Sequence, residues 1–144
     1  MEQISATMID SEALAKRCVK ICEDGLAENV LLFDVRNTSI LADFYLICSG
    51  KSEPHVRAIK GHIDQDLSKD GMHPRVDGQP SSHWIIMDYY SAVMIHIMGP
   101  DRREFYKLEE LWDSEKIIYR SEESRASARI APESHAAAPE QHSF

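Results

Sequence analysis

The sequence predicts an α/β domain, a mixed β-sheet flanked by helices. Three observations predict it. Apolar residues recur at helical spacing in two segments, Leu14, Cys18, Ile21 and Cys22 in the first and Val56, Ile59, Ile63 and Leu67 in the second. Short apolar runs, too brief for helices, stand between and after them at 30–35, 43–48, 84–88 and 92–98. With 144 residues, 43% hydrophobic and 28% charged, the chain has the make-up of one soluble domain whose core needs no disulfide or metal to hold it.

The first helix is expected over about Ser11–Gly25, behind a cap at Asp10 or Ser11 and with Glu12 in its first turn. The run Val30-Leu31-Leu32-Phe33-Asp34-Val35 reads as a buried strand, and Asp43-Phe44-Tyr45-Leu46-Ile47-Cys48 as a second one ending at Ser49-Gly50. The second helix opens at Ser52, with Glu53 and Pro54 in its first turn, and stops at Gly71. Met72 to Val76 forms a short edge strand because Pro74 cannot donate to a ladder, and 78–82 is a loop. The runs at 84–88 and 92–98 make an antiparallel hairpin joined through Tyr89-Tyr90-Ser91. After Gly99-Pro100, Asp101 with Glu104 reads as a capping box for a third helix whose inner face is Phe105, Leu108, Leu111 and Trp112. Lys116 to Tyr119 adds a last strand. Beyond Arg120 only Ile130 and Phe144 are large and apolar, so 121–144 is expected to be a disordered tail, as 1–9 is an N-terminal extension to the 10–120 domain.

Charge and composition narrow the function. Sixteen Lys and Arg against 24 Asp and Glu give a net charge of −8, which excludes a broad basic face that grips a nucleic-acid backbone. Three cysteines, Cys18, Cys22 and Cys48, cannot all pair and form no redox or zinc motif, which fits a reducing cytoplasm. The N-terminal residues carry no basic or apolar run of a targeting peptide, and no segment approaches the ~20 apolar residues of a membrane span.

Patterns that suggest catalysis are poorly placed. Asp64-Gln65-Asp66 is a D-x-D pair, but on a helix its carboxylates point ~200° apart and read as a solvated face. Gly50-Lys51-Ser52 could offer N–H groups to a phosphate, yet it lacks the other glycines of a phosphate loop and reads first as a turn and N-cap. His55 and His62 are two helical turns, ~10 Å, apart, too far for one metal; His55 instead helps to close the helix start. No cofactor is expected. His96 shares a strand face with Met94 and Met98 and reads as a buried histidine with one satisfied hydrogen bond.

The second half of the sheet stands out. Trp84, Ile86, Met94, His96 and Met98 would line one face while Val93, Ile95 and Ile97 fill the other, with Tyr106 and Trp112 to follow. Either helices cover both faces, or part of an apolar, aromatic face awaits a partner.

These residues also carry a resemblance. Asp34-Val35-Arg36, Ala42-Asp43-Phe44, Ser49-Gly50 with Ser52 and His55-Val56, Trp84-Ile85-Ile86-Met87-Asp88, His96-Ile97-Met98 and Arg103-Glu104-Phe105-Tyr106-Lys107-Leu108-Glu109 through Leu111-Trp112 resemble, over about 11–113, the ribosomal silencing factor (iojap-like) family. The resemblance implies a nucleotidyltransferase-like fold without catalytic carboxylates, and a cytoplasmic, non-enzymatic factor that binds ribosomal protein L-fourteen of the large subunit, blocks joining of the small subunit and so represses translation. Where the family has Gly-Asp in its hairpin, this chain has Tyr89-Tyr90-Ser91, so the turn must differ.

An acidic domain of this kind is expected to seat an apolar, aromatic patch on a basic ribosomal protein, with little direct nucleic-acid contact and no membrane. The expected partner-binding residues are Trp84 as anchor, beside the Ser81-Ser82-His83 loop, with Asp88, Met94, His96, Arg103 and Tyr106 around it; Trp112 is the expected core tryptophan. The same patch would pair two copies of the free protein as a homodimer. Two other classes stay open from the residues alone: a nucleotide-binding, nucleotidyltransferase-like protein using the Gly50–Ser52 turn, and a dimeric adaptor with no ribosomal role.

Overall fold

A computed structural model describes residues 9–121. Residues 122–144 of the expected tail and most of the N-terminal extension lie outside the described residues; Ser121, expected to open the tail, is instead buried, its N–H donating to the Val30 carbonyl at 2.9 Å and its hydroxyl accepting from the Val30 N–H at 3.0 Å. Helix α1 (Ser11–Asp24) starts where the Asp10 carboxylate accepts a hydrogen bond from the Ala13 N–H at 3.1 Å, which satisfies one of the free donors of the first turn. It buries Leu14, Ala15, Cys18, Val19, Ile21 and Cys22. Strands β1 (Glu28–Asp34) and β2 (Phe44–Ser49) pair antiparallel. The chain then crosses through α2 (Glu53–Ser68), capped by Ser52, whose Oγ accepts from the His55 N–H at 3.3 Å. Val56, Ile59, Ile63 and Leu67 form the buried stripe of α2, as their spacing predicts.

Strands β3 (Arg75–Gln79), β4 (Trp84–Tyr89) and β5 (Val93–Met98) follow, then α3 (Pro100–Tyr106) and β6 (Ile117–Arg120). The sheet has the order β3-β4-β5-β2-β1-β6, in which β2 and β5 run parallel and every other pair is antiparallel. The mixed sheet expected from the sequence is therefore present, with β3 at one edge. Its strand lies later than Met72–Val76 because Pro74 keeps the preceding residues out of the ladder, and Gly78 and Gln79, expected in a loop, pair with Ile85 and Trp84. Gly78 is obligatory there: its φ is +84° and a Cβ would stand 2.2 Å from the Trp84 carbonyl oxygen.

Helices α1 and α2 cover one face of the sheet, against Val30, Leu32, Leu46, Ile85, Ile95 and Ile97. They are also joined at the surface: Arg17 reaches Asp70 at 2.6 Å and Asp66 at 3.3 Å. Asp66 thus ties α2 to α1 rather than lying on a merely solvated face, while Asp64 takes no part in this pairing. Among the described residues no group of acidic, histidine and cysteine side chains could hold a metal.

The hairpin between β4 and β5 turns through Tyr90 and Ser91. Tyr90 and Ser91 both adopt positive φ, 61° and 59°, costly for residues with a Cβ. Asp88 offsets this by accepting from the Ser91 N–H at 2.9 Å, and the Tyr90 hydroxyl accepts from the His73 N–H at 3.0 Å.

The third helix corrects the sequence expectation most. Gly99, not Asp101, is its N-cap, no side chain caps it, and it ends after seven residues where Lys107 turns left-handed at φ 50°. Leu108–Glu110 forms a separate 3-10 turn. Phe105, still within α3, is 58% exposed, and after the break Leu111 is 62% exposed while Leu108 and Trp112 pack inward.

Candidate docking face

The reverse face of the sheet is covered in part only. Leu31, Phe33, Tyr45, Ile47 and Met98 are buried there, with Trp84, Met94, Leu108 and Trp112 half-buried against them. Alternation along each strand places these side chains opposite the helix-covered face. The pairings Trp84↔Met98, Ile86↔His96 and Asp88↔Met94 bring β4 and β5 into register, and β2 adds Tyr45 beside Met94 and Ile47 beside His96.

Aromatic rings form a row across this face. Tyr106 meets Trp84 at a centroid distance of 4.8 Å; Trp84 lies 6.0 Å from His96; His96 stacks on Tyr45 at 5.4 Å and 22°. Tyr45 meets the edge of Trp112 at 4.3 Å, and Trp112 reaches Phe33 at 5.6 Å. Trp112 fills the role of inner tryptophan from the turn after the 3-10 segment, not from a helix. At the other end Phe105 packs edge-to-face on Tyr106 at 4.9 Å. Such offset and edge-on pairs are the favoured geometries for rings with a negative face and a positive rim.

Around Trp84 a shallow crevice of about 360 Å³ is lined by Gly78, Ser82, Trp84, Ile86, Arg102 and Tyr106. Helix α3 forms one wall and is held at its start to the loop before β4. The Gly99 N–H donates to the His83 carbonyl at 2.8 Å, and the Arg102 Nε donates to the Ser82 carbonyl at 3.1 Å. Arg103 fastens it from below: only 8% exposed, it donates to the Ser49 hydroxyl at 3.0 Å and to the Glu109 carboxylate at 3.4 Å.

Of the six residues expected to bind a partner, Trp84, Met94, Asp88 and Tyr106 thus lie on or beside one surface. Arg103 corrects the expectation of a direct contact, because its guanidinium points inward to hold α3 over the sheet. His96 is 6% exposed and lies under Trp84, whose indole N–H donates to its Nδ1 at 3.1 Å, the single satisfied bond expected of it. Burial lowers the His96 pKa from 6.5 to about 4, so the ring is neutral at physiological pH. Sequence reasoning placed Ile86 on this face but missed Arg102 as a lining residue, and it put Phe105 on the inner face of a helix where the structure leaves it exposed.

In the turn that suggested nucleotide binding, the first two N–H donors are occupied. The Gly50 N–H bonds to the Met98 carbonyl, the Lys51 N–H to His55 Nδ1 at 2.9 Å, and the Val56 N–H to the Ser52 carbonyl. His55 closes the helix start as expected, and its Nε2 reaches the Gly25 carbonyl at 3.0 Å. The neighbouring cleft carries both signs of charge, Lys51 and Arg102 with Asp101 and Glu104.

A family model described as "Ribosomal silencing factor during starvation" matches residues 8–143. The chain belongs to the ribosomal silencing factor family. Members of this family are regulatory factors named for silencing the ribosome, not enzymes. The match runs past residue 113, where the motif resemblance stops. A silencing factor RsfS of Bacillus subtilis (strain 168) is 30% identical over 105 residues, covering 72% of this chain and 88% of that protein. One from Haemophilus influenzae is 36% identical over 91 residues, 62% of this chain and 88% of that protein. A mouse relative, "Mitochondrial assembly of ribosomal large subunit protein 1", is 28% identical over 60% of this chain and 39% of its own length. A crystal structure from Bacillus halodurans superposes with a TM-score of 0.62 at 31% identity, over 70% of this chain and 94% of that one. Another from Chromobacterium violaceum shares the fold at a TM-score of 0.67 and 23% identity, over 72% of this chain and 87% of that one.

Proposed function

We propose that this silencing factor binds the large ribosomal subunit through ribosomal protein L-fourteen and sterically blocks joining of the small subunit. The observation that carries this is the half-covered aromatic face with a crevice beside Trp84, on a sheet whose other face is sealed by helices. Large, rigid aromatic side chains that are partly desolvated before binding are the usual anchors of protein–protein contacts. A net charge of −8 favours a basic protein over ribosomal RNA as the direct partner and steers the approach to it. The name of the mouse relative points the same way, to the large subunit. In the free protein the same face pairs two copies, so dilution favours ribosome binding; the setting is the cytoplasm.

The test is a sucrose-gradient measurement of subunit joining with purified subunits. Added protein is expected to leave large and small subunits unjoined while co-sedimenting with the large one, with a weak dependence of affinity on salt because few phosphates are neutralised. Unchanged joining with the large subunit saturated would refute the steric mechanism, and co-sedimentation with the small subunit alone would refute the partner.

A further inference from the structure

Two buried side-chain polar atoms lack a hydrogen-bond partner among the described residues: the Tyr89 hydroxyl and His96 Nε2. Tyr89 lies in the core beneath the helices, on the side of the sheet opposite the aromatic row. His96 lies at the centre of the aromatic row, under the residue expected to anchor docking. Its Nδ1 accepts from the Trp84 indole, so the neutral ring carries its hydrogen on Nε2, which is the atom left without an acceptor. Ile86 and Ile47 flank it in the neighbouring strands, and Tyr45 stacks on it. Packing alone would be served better by an apolar side chain at this position.

We infer that His96 is the positioning residue of the docking face: it fixes the direction of the Trp84 indole by accepting its N–H, at the expense of a buried donor of its own. The orientation is passed along a short chain of contacts. Tyr45 sets the plane of the His96 ring by stacking at 22°, and the ring's Nδ1 sets the indole. Without that acceptor, Trp84 keeps its packing against Tyr106 but can rotate, and a partner must then order it on binding. This inference rests on the docking role proposed above.

The two functions are separable by experiment. The sequence contains two tryptophans, so a Trp112→Phe background makes Trp84 the sole indole reporter. In that background His96→Phe, with the full chain, is expected to keep or raise the thermal midpoint, lower the fluorescence anisotropy of Trp84, and weaken binding to purified large subunits about tenfold, the scale of one well-placed hydrogen bond. His96→Asn, whose Oδ1 stands near the place of Nδ1, is expected to restore part of both the anisotropy and the affinity. If the phenyl ring overfills the site and the variant does not fold, His96→Leu carries the same expectation. A His96→Phe protein that melts early yet shows unchanged anisotropy and affinity overturns the inference and makes His96 a packing residue. If Trp84→Ala abolishes binding while His96→Phe leaves indole and affinity untouched, docking stands and positioning falls. If Trp84→Ala binds like the parent protein, the docking role falls and takes the role of His96 with it.

Discussion

Beneath α1 and α2 the sheet presents Val30, Leu32, Leu46, Ile85, Ile95 and Ile97, none of them exposed, whereas its reverse presents Phe33, Tyr45, Trp84, Met94, His96 and Met98 under an incomplete cover. Aliphatic side chains on the first face interlock with the stripes of two amphipathic helices and leave nothing for a partner to touch. The second face uses rings and thioethers, which tolerate partial exposure, repack readily and supply a polar edge. One strand serves both purposes because neighbouring residues point to opposite sides. The difference teaches that stability and recognition are divided across the thickness of one sheet, so mutations on the two sides fail in different ways.

The largest effect is expected on the sealed side. Ile63→Ala removes a fully buried side chain from the α2 stripe and should cost about 3 kcal/mol of unfolding free energy in urea titrations, with the folded fraction still binding large subunits normally. A similar loss of stability from Tyr106→Ala, on the open side and 46% exposed, would break the division.

Acid is expected to act through the open side on nearly the same scale. The unfolded chain holds His96 near 6.5 and the folded protein near 4, so the unfolded state takes up the proton first. This contribution to stability is whole above pH about 6.5, declines as pH falls, and has lost up to about 3 kcal/mol once the pH is below about 4. Urea midpoints of the parent and His96→Phe proteins should therefore diverge between pH 7 and pH 4.5, with the parent falling faster. Parallel curves would show that His96 titrates freely in the folded protein.

Trp84→Ala should separate the two faces most clearly in function. Loss of the anchor is expected to weaken large-subunit binding about thirtyfold, ~2 kcal/mol, with a smaller shift of the folding transition. Early melting with normal binding in the cold would place Trp84 in the core instead. The smallest effect belongs to Tyr89→Phe on the sealed side. Its buried hydroxyl has no partner among the described residues, so its removal should leave stability unchanged or raise it by about 1 kcal/mol in thermal unfolding. A clear loss would mean that the hydroxyl is hydrogen-bonded in solution.

The sequence made the sealed face legible because its signals are periodic. Val56, Ile59, Ile63 and Leu67 announce α2, Asp10 and Ser52 announce the helix starts, and the alternation of Val93, Ile95 and Ile97 with Met94, His96 and Met98 sorts the two sides of β5. The open face was legible as composition, not as geometry. Trp84, Met94 and Tyr106 could be named, but the end of α3 depends on Lys107 turning left-handed, which no glycine or asparagine marks. That single backbone choice turns the one long helix expected into a short helix and a separate turn and leaves Leu111 exposed, while Phe105, expected on the inner face, is already exposed within α3. Arg103 was legible as a functional residue for the wrong reason: its partner Ser49 is 54 residues away in the chain, and nothing local tells an inward arginine from an outward one. The link from Arg17 to Asp66 was hidden in the same way, by separation in sequence.

The most direct test of the central claim, that the aromatic face and not the helical one meets the ribosome, is site-specific photo-cross-linking. A benzophenone amino acid placed at Phe105, beside Tyr106 on the open face, is compared with one at Lys20, exposed on α1 across the sheet. After irradiation with purified large subunits, the Phe105 position is predicted to give a cross-link to ribosomal protein L-fourteen and the Lys20 position none. A cross-link from Lys20 with none from Phe105 would contradict the assignment and move the docking surface to the helices.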